Sequence, residues 1–111
     1  MTSKEFRKLA CGLPGASEAQ HLGHPDFRVG GKIFATLGPD EDWGMVKLPP
    51  DEQARLVQLE PDVYGPASGA WGRNGCTIIQ LAGADRITVK EALTTAWRIT
   101  APQRLVQDFK G

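Results

Sequence analysis

Apolar residues over the first thirteen positions recur at a helical period. Phe6, Leu9, Ala10 and Leu13 share one face, Lys4, Arg7 and Lys8 lie mostly off it, and Thr2 with Glu5 has capping-box spacing. A helix is therefore predicted from Thr2 to Leu13, ended by Leu13-Pro14-Gly15. The period then drops to two. Ala16 to Gly23 alternates weakly, as a strand would, and Pro25 interrupts before the stretch around which the chain is organised, Asp26 to Leu37. Two β-favouring runs there flank Gly30-Gly31, a pair that can take the positive φ at both positions required by a type I′ hairpin turn. Strict alternation places Phe27 and Val29 on one face of the first arm. It places Ile33, Ala35 and Leu37 on one face of the second, with Lys32, Phe34 and Thr36 opposite.

Gly38 to Asp42 is an acidic turn, and Trp43 to Leu48 gives a third arm that completes a meander. Pro49-Pro50 stops it. A helix with a moderate apolar pattern (Ala54, Leu56, Val57, Leu59) is predicted from Asp51 to about Leu59, followed by a short strand at Val63-Tyr64 and a flexible loop over residues 65–69. Asn74-Gly75 between Ala70–Arg73 and Cys76–Leu81 is a strong hairpin signal, so a second hairpin is expected, again with an aromatic residue and an arginine just before the turn. Thr88 with Glu91 forms a second capping-box pattern ahead of the stripe Val89, Ala92, Leu93, Ala96, Trp97. Pro102 suits the first turn of a further helical segment carrying Leu105, Val106 and Phe109. The order of elements predicts an α+β two-layer sandwich: an antiparallel sheet with the N- and C-terminal helices packed on one face.

Length and charge narrow the function. At 111 residues the chain is read as a single domain, residues 1–111, with enough mass to build a core without staples. Thirteen basic and thirteen acidic side chains cancel, so any polyanion binding has to rest on segregated charge. Residues 40–62 hold seven acids against Lys47 and Arg55, and from Trp71 onward six bases stand against three acids. Such runs also serve simply as solvated faces. Cys11 and Cys76 have neither metal-type spacing nor enough company for a disulfide framework. The N-terminus lacks an apolar signal-like region, so a cytoplasmic protein is expected.

Four stretches together resemble the MmcQ/YjbR family: Leu13-Pro-Gly-Ala-Ser-Glu18, Asp26-Phe-Arg-Val-Gly-Gly-Lys-Ile-Phe-Ala35, Trp71-Gly-Arg-Asn-Gly75, and Ala96-Trp97 with Ala101-Pro102. The resemblance runs over nearly the whole chain. It implies a fold similar to the bacterial frataxin (CyaY-like) fold, and DNA binding through two protruding hairpins, a double wing. The Gly30-Gly31 and Asn74-Gly75 hairpins would be the wings.

The nucleic-acid site expected from this is Arg28, Lys32, Lys47, Trp71, Arg73 and Asn74. Cations neutralise phosphates and aromatics stack on exposed bases. The same cations at hairpin tips would also keep the tips soluble and block edge pairing, and Asn74 is accounted for by its turn. Glu18, His21, His24 and Asp26 are the only cluster of metal-ligand residue types, but Gly23 and Pro25 break the helical spacing that would converge the histidines, and no metal or other cofactor is expected. No serine has a nucleophile-elbow context and the glycines form no phosphate loop, so the chain is read as a non-enzyme. The alternatives are a small-molecule module, with a pocket near Tyr64–Trp71 walled by Trp43, Tyr64 and Trp71, and a protein-interaction module that uses the acidic middle.

Overall fold

A computed structural model describes residues 1–110. The chain runs α1 (Ser3–Cys11), β1 (Ser17–His21), β2 (His24–Val29), β3 (Lys32–Leu37), β4 (Trp43–Lys47), α2 (Pro50–Leu59), β5 (Tyr64–Pro66), α3 (Gly69–Arg73), β6 (Cys76–Gln80), a single 3-10 turn at Leu81–Gly83, α4 (Arg86–Thr100) and α5 (Gln103–Asp108). All strand pairs are antiparallel, in the order β1-β2-β3-β4-β6-β5. The last strand in sequence thus inserts between β4 and β5. Helices α1 and α4 pack on one face of the sheet, with α2 beside them against β5 and β6. This is the α+β sandwich that the hydrophobic pattern predicts.

The core lies between that face and the helices. Phe6 and Ala10 of α1 meet Phe27, Phe34, Leu37, Val46 and Ile79 from the strands and Leu93, Ala96 and Trp97 from α4. The Trp97 indole N–H donates to the Pro14 carbonyl at 2.8 Å, so the largest core side chain leaves no polar atom stranded and ties α4 to the turn after α1. Thr2 and Glu5 form the predicted capping box. At α4 the structure differs. The cap is Asp85, which accepts from the Thr88 backbone N–H at 2.9 Å, and the helix begins at Arg86 rather than at Thr88. Pro102 ends up as the cap residue of a separate α5.

Two further expectations are corrected. The Gly30-Gly31 turn has φ of 60° and 78°, as predicted, but the β2–β3 pairing slips beside it. Phe27 faces Ala35, Arg28 faces Ile33, and Phe34 has no partner. This bulge turns Phe34 into the core with Ala35 and Leu37, and puts Ile33 on the opposite face with Thr36. The Asn74-Gly75 hairpin does not exist. Gly69–Arg73 winds into a helical turn, Asn74 is its C-cap, and the Asn74 N–H bonds back to the Ala70 carbonyl at 3.0 Å. Gly75 follows with φ of 108°. An Asn-Gly pair supplies a positive φ, and here a helix end uses it instead of a hairpin.

Candidate functional site

Most of the residues singled out from the sequence lie on the face of the sheet away from α1 and α4. Alternation brings Trp43, Met45 and Lys47 of β4 to this face while Gly44 and Val46 turn inward. Met45 lies opposite Thr36 on one side and Ile78 on the other. At the far end the chain leaves β5 through Ala67 and Ser68 and folds over in α3, which hangs Trp71 beside the strands. Gly72 makes the fold-over possible: a β-carbon there would run into the Ala67 carbonyl. The result is a groove of about 530 Å³, lined by His21, Thr36, Trp43, Met45, Trp71 and Ile78 among others. Trp71 is 65% exposed within it.

A second groove, of about 440 Å³, adjoins the first and shares Ile33 and Lys47 with it. Arg28, Gly31 and Lys32 line it from the β2–β3 hairpin, and Ile99 and Thr100 from the end of α4. Three of the cations expected from the sequence, Arg28, Lys32 and Lys47, therefore meet in one place, with Trp71 at the neighbouring groove. Arg73 and Asn74 do not join them. They sit exposed at the C-terminal end of α3 and line neither groove. Nor does the first hairpin stand clear of the body, since a β-carbon on Gly30 would meet the Pro102 ring. Lys4 and Lys8 lie on α1, in the helical layer.

Between the grooves lies a polar assembly on β1 and β2. Asp26 is fully buried. Its carboxylate accepts from Arg28 Nε at 2.7 Å and Nη2 at 3.0 Å, and its Oδ2 lies 2.7 Å from His21 Nδ1. The Arg28 guanidinium, followed by the His21 ring, holds the Asp26 carboxyl below the usual carboxylate range against the burial that would raise it. His21 stacks on His24 with centroids 6.0 Å apart, and His24 stands edge-on to Trp43 at 6.4 Å. As a metal site the sequence cluster dissolves: Arg7 bonds Glu18, Arg28 occupies Asp26, and among the described residues no three His, Cys, Asp or Glu side chains converge.

Tyr64 belongs elsewhere. It is buried in the core with a hydroxyl that has no partner, and burial pushes that hydroxyl up to about 12. The pocket expected near Tyr64–Trp71 is thus the Trp71 groove, with Trp43 as a second aromatic wall and Tyr64 on the other side of the sheet.

The YjbR family model matches residues 11–99. The chain belongs to the YjbR family. The match takes in all six strands and both grooves up to Ile99 of α4, and leaves out α5. Among solved structures, the Deinococcus radiodurans protein DR2400, with domain DUF419, superposes with a TM-score of 0.80 at 18% identity, over 93% of this chain and 80% of that one. A protein from Pseudomonas syringae superposes with a TM-score of 0.71 at 14% identity, over 90% of this chain and 99% of that one. At these identities the likeness is one of fold. No curated protein matches the sequence. The YjbR chain is a small α+β domain, and among the described residues no helix is long and apolar enough to cross a membrane.

Proposed function

We propose that this YjbR domain is a non-catalytic DNA-binding protein that takes a single strand on the open face of its sheet. The observation that carries the reading is the meeting of Arg28, Lys32 and Lys47 in one groove that shares Lys47 with a second groove walled by Trp43 and Trp71. Cations neutralise phosphates, and tryptophans offer faces to bases. A duplex keeps its bases stacked and paired, out of reach of such walls, whereas an unpaired strand presents them. The wings of the family resemblance are replaced here by one hairpin and one helical turn that flank a groove.

The charge on the site limits the affinity. Asp26 offsets Arg28, so Lys32 and Lys47 are the cations free to release counterions, and for two phosphates on a single strand log K should fall against log salt with a slope of about −1.4. Fluorescence anisotropy with labelled single-stranded and duplex oligonucleotides at low and moderate salt tests this. Saturable binding to the single strand, weaker for duplex and lost by at least about tenfold in Lys32→Glu/Lys47→Glu, is the expected result. No binding at tens of micromolar and low salt would end the reading.

One observation favours a second reading, in which the site takes a free small molecule. Met45, Ile78, Pro66, Ala67 and both tryptophans give the larger groove a mainly apolar lining of the kind that holds a flat organic ring.

A further inference from the structure

The cations and tryptophans leave the Asp26 assembly unexplained. A strand residue on the solvent side of a sheet has no need to bury a carboxylate, and doing so is costly unless every oxygen is bonded. Here the carboxylate is bonded on both oxygens, and one of its partners is a ring that lines the tryptophan groove. Because Arg28 keeps Asp26 ionised, Asp26 acts only as an acceptor toward the histidine. The His21 proton must then sit on Nδ1. In the neutral ring Nε2 is left as an acceptor, and it has no hydrogen-bond partner among the described residues. His24 stacks on the other side of the turn with its ring centroid 6.0 Å away, and the Asp26 bond at Nδ1 sets the orientation of the His21 ring.

We propose that His21 is the base-contacting residue of the groove: an unpaired base lies against the tryptophans, and its N–H donates to His21 Nε2, whose tautomer Asp26 fixes. The inference rests on the single-strand reading above and adds the group that reads the base. The occupant follows from the lining. Trp43 and Trp71 suit a flat ring, Lys47 at the shared wall suits the phosphate attached to it, and an acceptor nitrogen requires a ring that carries a donor. Thymine meets this with its N3–H. Asp26 and Arg28 are positioning residues that act through His21.

The test compares three oligonucleotides of one length in mildly alkaline buffer: oligothymidylate, the same strand with N3-methylthymine, and the same strand with abasic sugars. N3-methylthymine keeps the stacking face and loses the donor. The wild type should bind thymine about three- to tenfold more tightly than N3-methylthymine, and the abasic strand most weakly. His21→Phe keeps an aromatic plate against His24 but has no acceptor, so it should bind thymine and N3-methylthymine equally, both near the wild-type value for the methylated strand. Trp71→Ala, at an exposed position that threatens folding little, should reduce binding of both base-bearing strands and leave the abasic strand unchanged. Wild-type indifference to the N3 methyl group, or discrimination that survives in His21→Phe, overturns the inference while the phosphate-binding reading stands. Absence of binding to all three strands overturns both.

Discussion

The two faces of the sheet are made by the same strands and are built on different rules. Toward the helices, Phe27, Phe34, Leu37, Val46 and Ile79 are sealed, and the Tyr64 hydroxyl is the one buried side-chain polar atom left without a partner among the described residues. Away from them, a face that simple alternation would leave wet and polar carries Ile33, Trp43, Met45 and Ile78, all half-buried, with Trp71 suspended alongside and a fully buried carboxylate among them. One face is closed by packing. The other is shaped but not filled, and its one fully buried carboxylate is held by hydrogen bonds rather than by apolar contact. The closed face sets the stability, while the open face is the one shaped to take the proposed ligand.

The comparison is broken most easily by a pair of truncations. Phe34→Ala empties a core position that the bulge has turned inward, and should cost about 3–5 kcal/mol. Ile78→Ala removes an apolar side chain of similar character from the open face, where solvent already reaches it, and should cost about 1 kcal/mol. Urea titrations of both variants measure the gap. Equal costs would mean that the open face is packed as a second core and has no groove to offer.

Next in size is the fold-over of α3. Gly72→Ala drives a β-carbon against the Ala67 carbonyl, a backbone atom that cannot swing aside, so the helical turn has to move. A destabilisation of about 2–3 kcal/mol is expected, with the change in the exposed Trp71 fluorescence preceding global unfolding in the same titration. The closed face should feel nothing until the global transition.

Asp26→Asn tests the polar chain. At neutral pH it weakens the bonds to Arg28 and His21 and should cost about 1–2 kcal/mol. The pH dependence gives the sign. Asp26 is depressed in the folded protein, chiefly by Arg28, so its contribution is fully present above the unfolded aspartate value of about 3.9 and is lost as pH falls through the lower folded value. The stability gap between wild type and variant should therefore close below about pH 4. Glu5, Glu41 and Asp85, also depressed, are common to both proteins and cancel in the difference. A gap that persists at low pH would show that the asparagine fails because its amide N–H₂ faces the Arg28 donors rather than through the lost charge.

What was legible in the sequence follows the range of the interaction. Gly30-Gly31 marks its turn because positive φ is a local demand, and Thr2 with Glu5 marks its cap for the same reason. Asn74-Gly75 is equally local but degenerate, since a helix C-cap makes the same demand as a hairpin turn. The bulge at Phe34 is set by pairing between strands and leaves no trace in the alternation of β3 alone. Within the site, Arg28, Lys32, Lys47 and Trp71 could be picked out as cations and an aromatic, but their convergence depends on β4 lying beside β3 and on the fold-over at Gly72. Asp26 was harder still. An aspartate in a strand reads as solvated, and here it is buried with bonds to Arg28 on its own strand and to His21 from β1; the available hints were Arg28 two residues on, on the same face, and the grouping of Asp26 with His21 and His24.

The smallest effect lies at the rim, where the open face ends in the turn between β1 and β2. Leu22 there is 91% exposed at φ of 49°, next to Gly23 at φ of 79°. A branched apolar side chain gains nothing from this position and pays for the left-handed backbone, which asparagine tolerates better, and Asn-Gly is the favoured pair for such a turn. Leu22→Asn should therefore raise stability by about 0.5 kcal/mol, read as a small rise in Tm. Leu22 lines neither groove, so oligonucleotide affinity should not change. A loss of affinity in a protein that has become more stable, with the preference for thymine over N3-methylthymine intact, would point to contact at the tip. It would carry the functional face past His21 to the end of the hairpin, and an exposed leucine kept in a strained turn would then belong to the site.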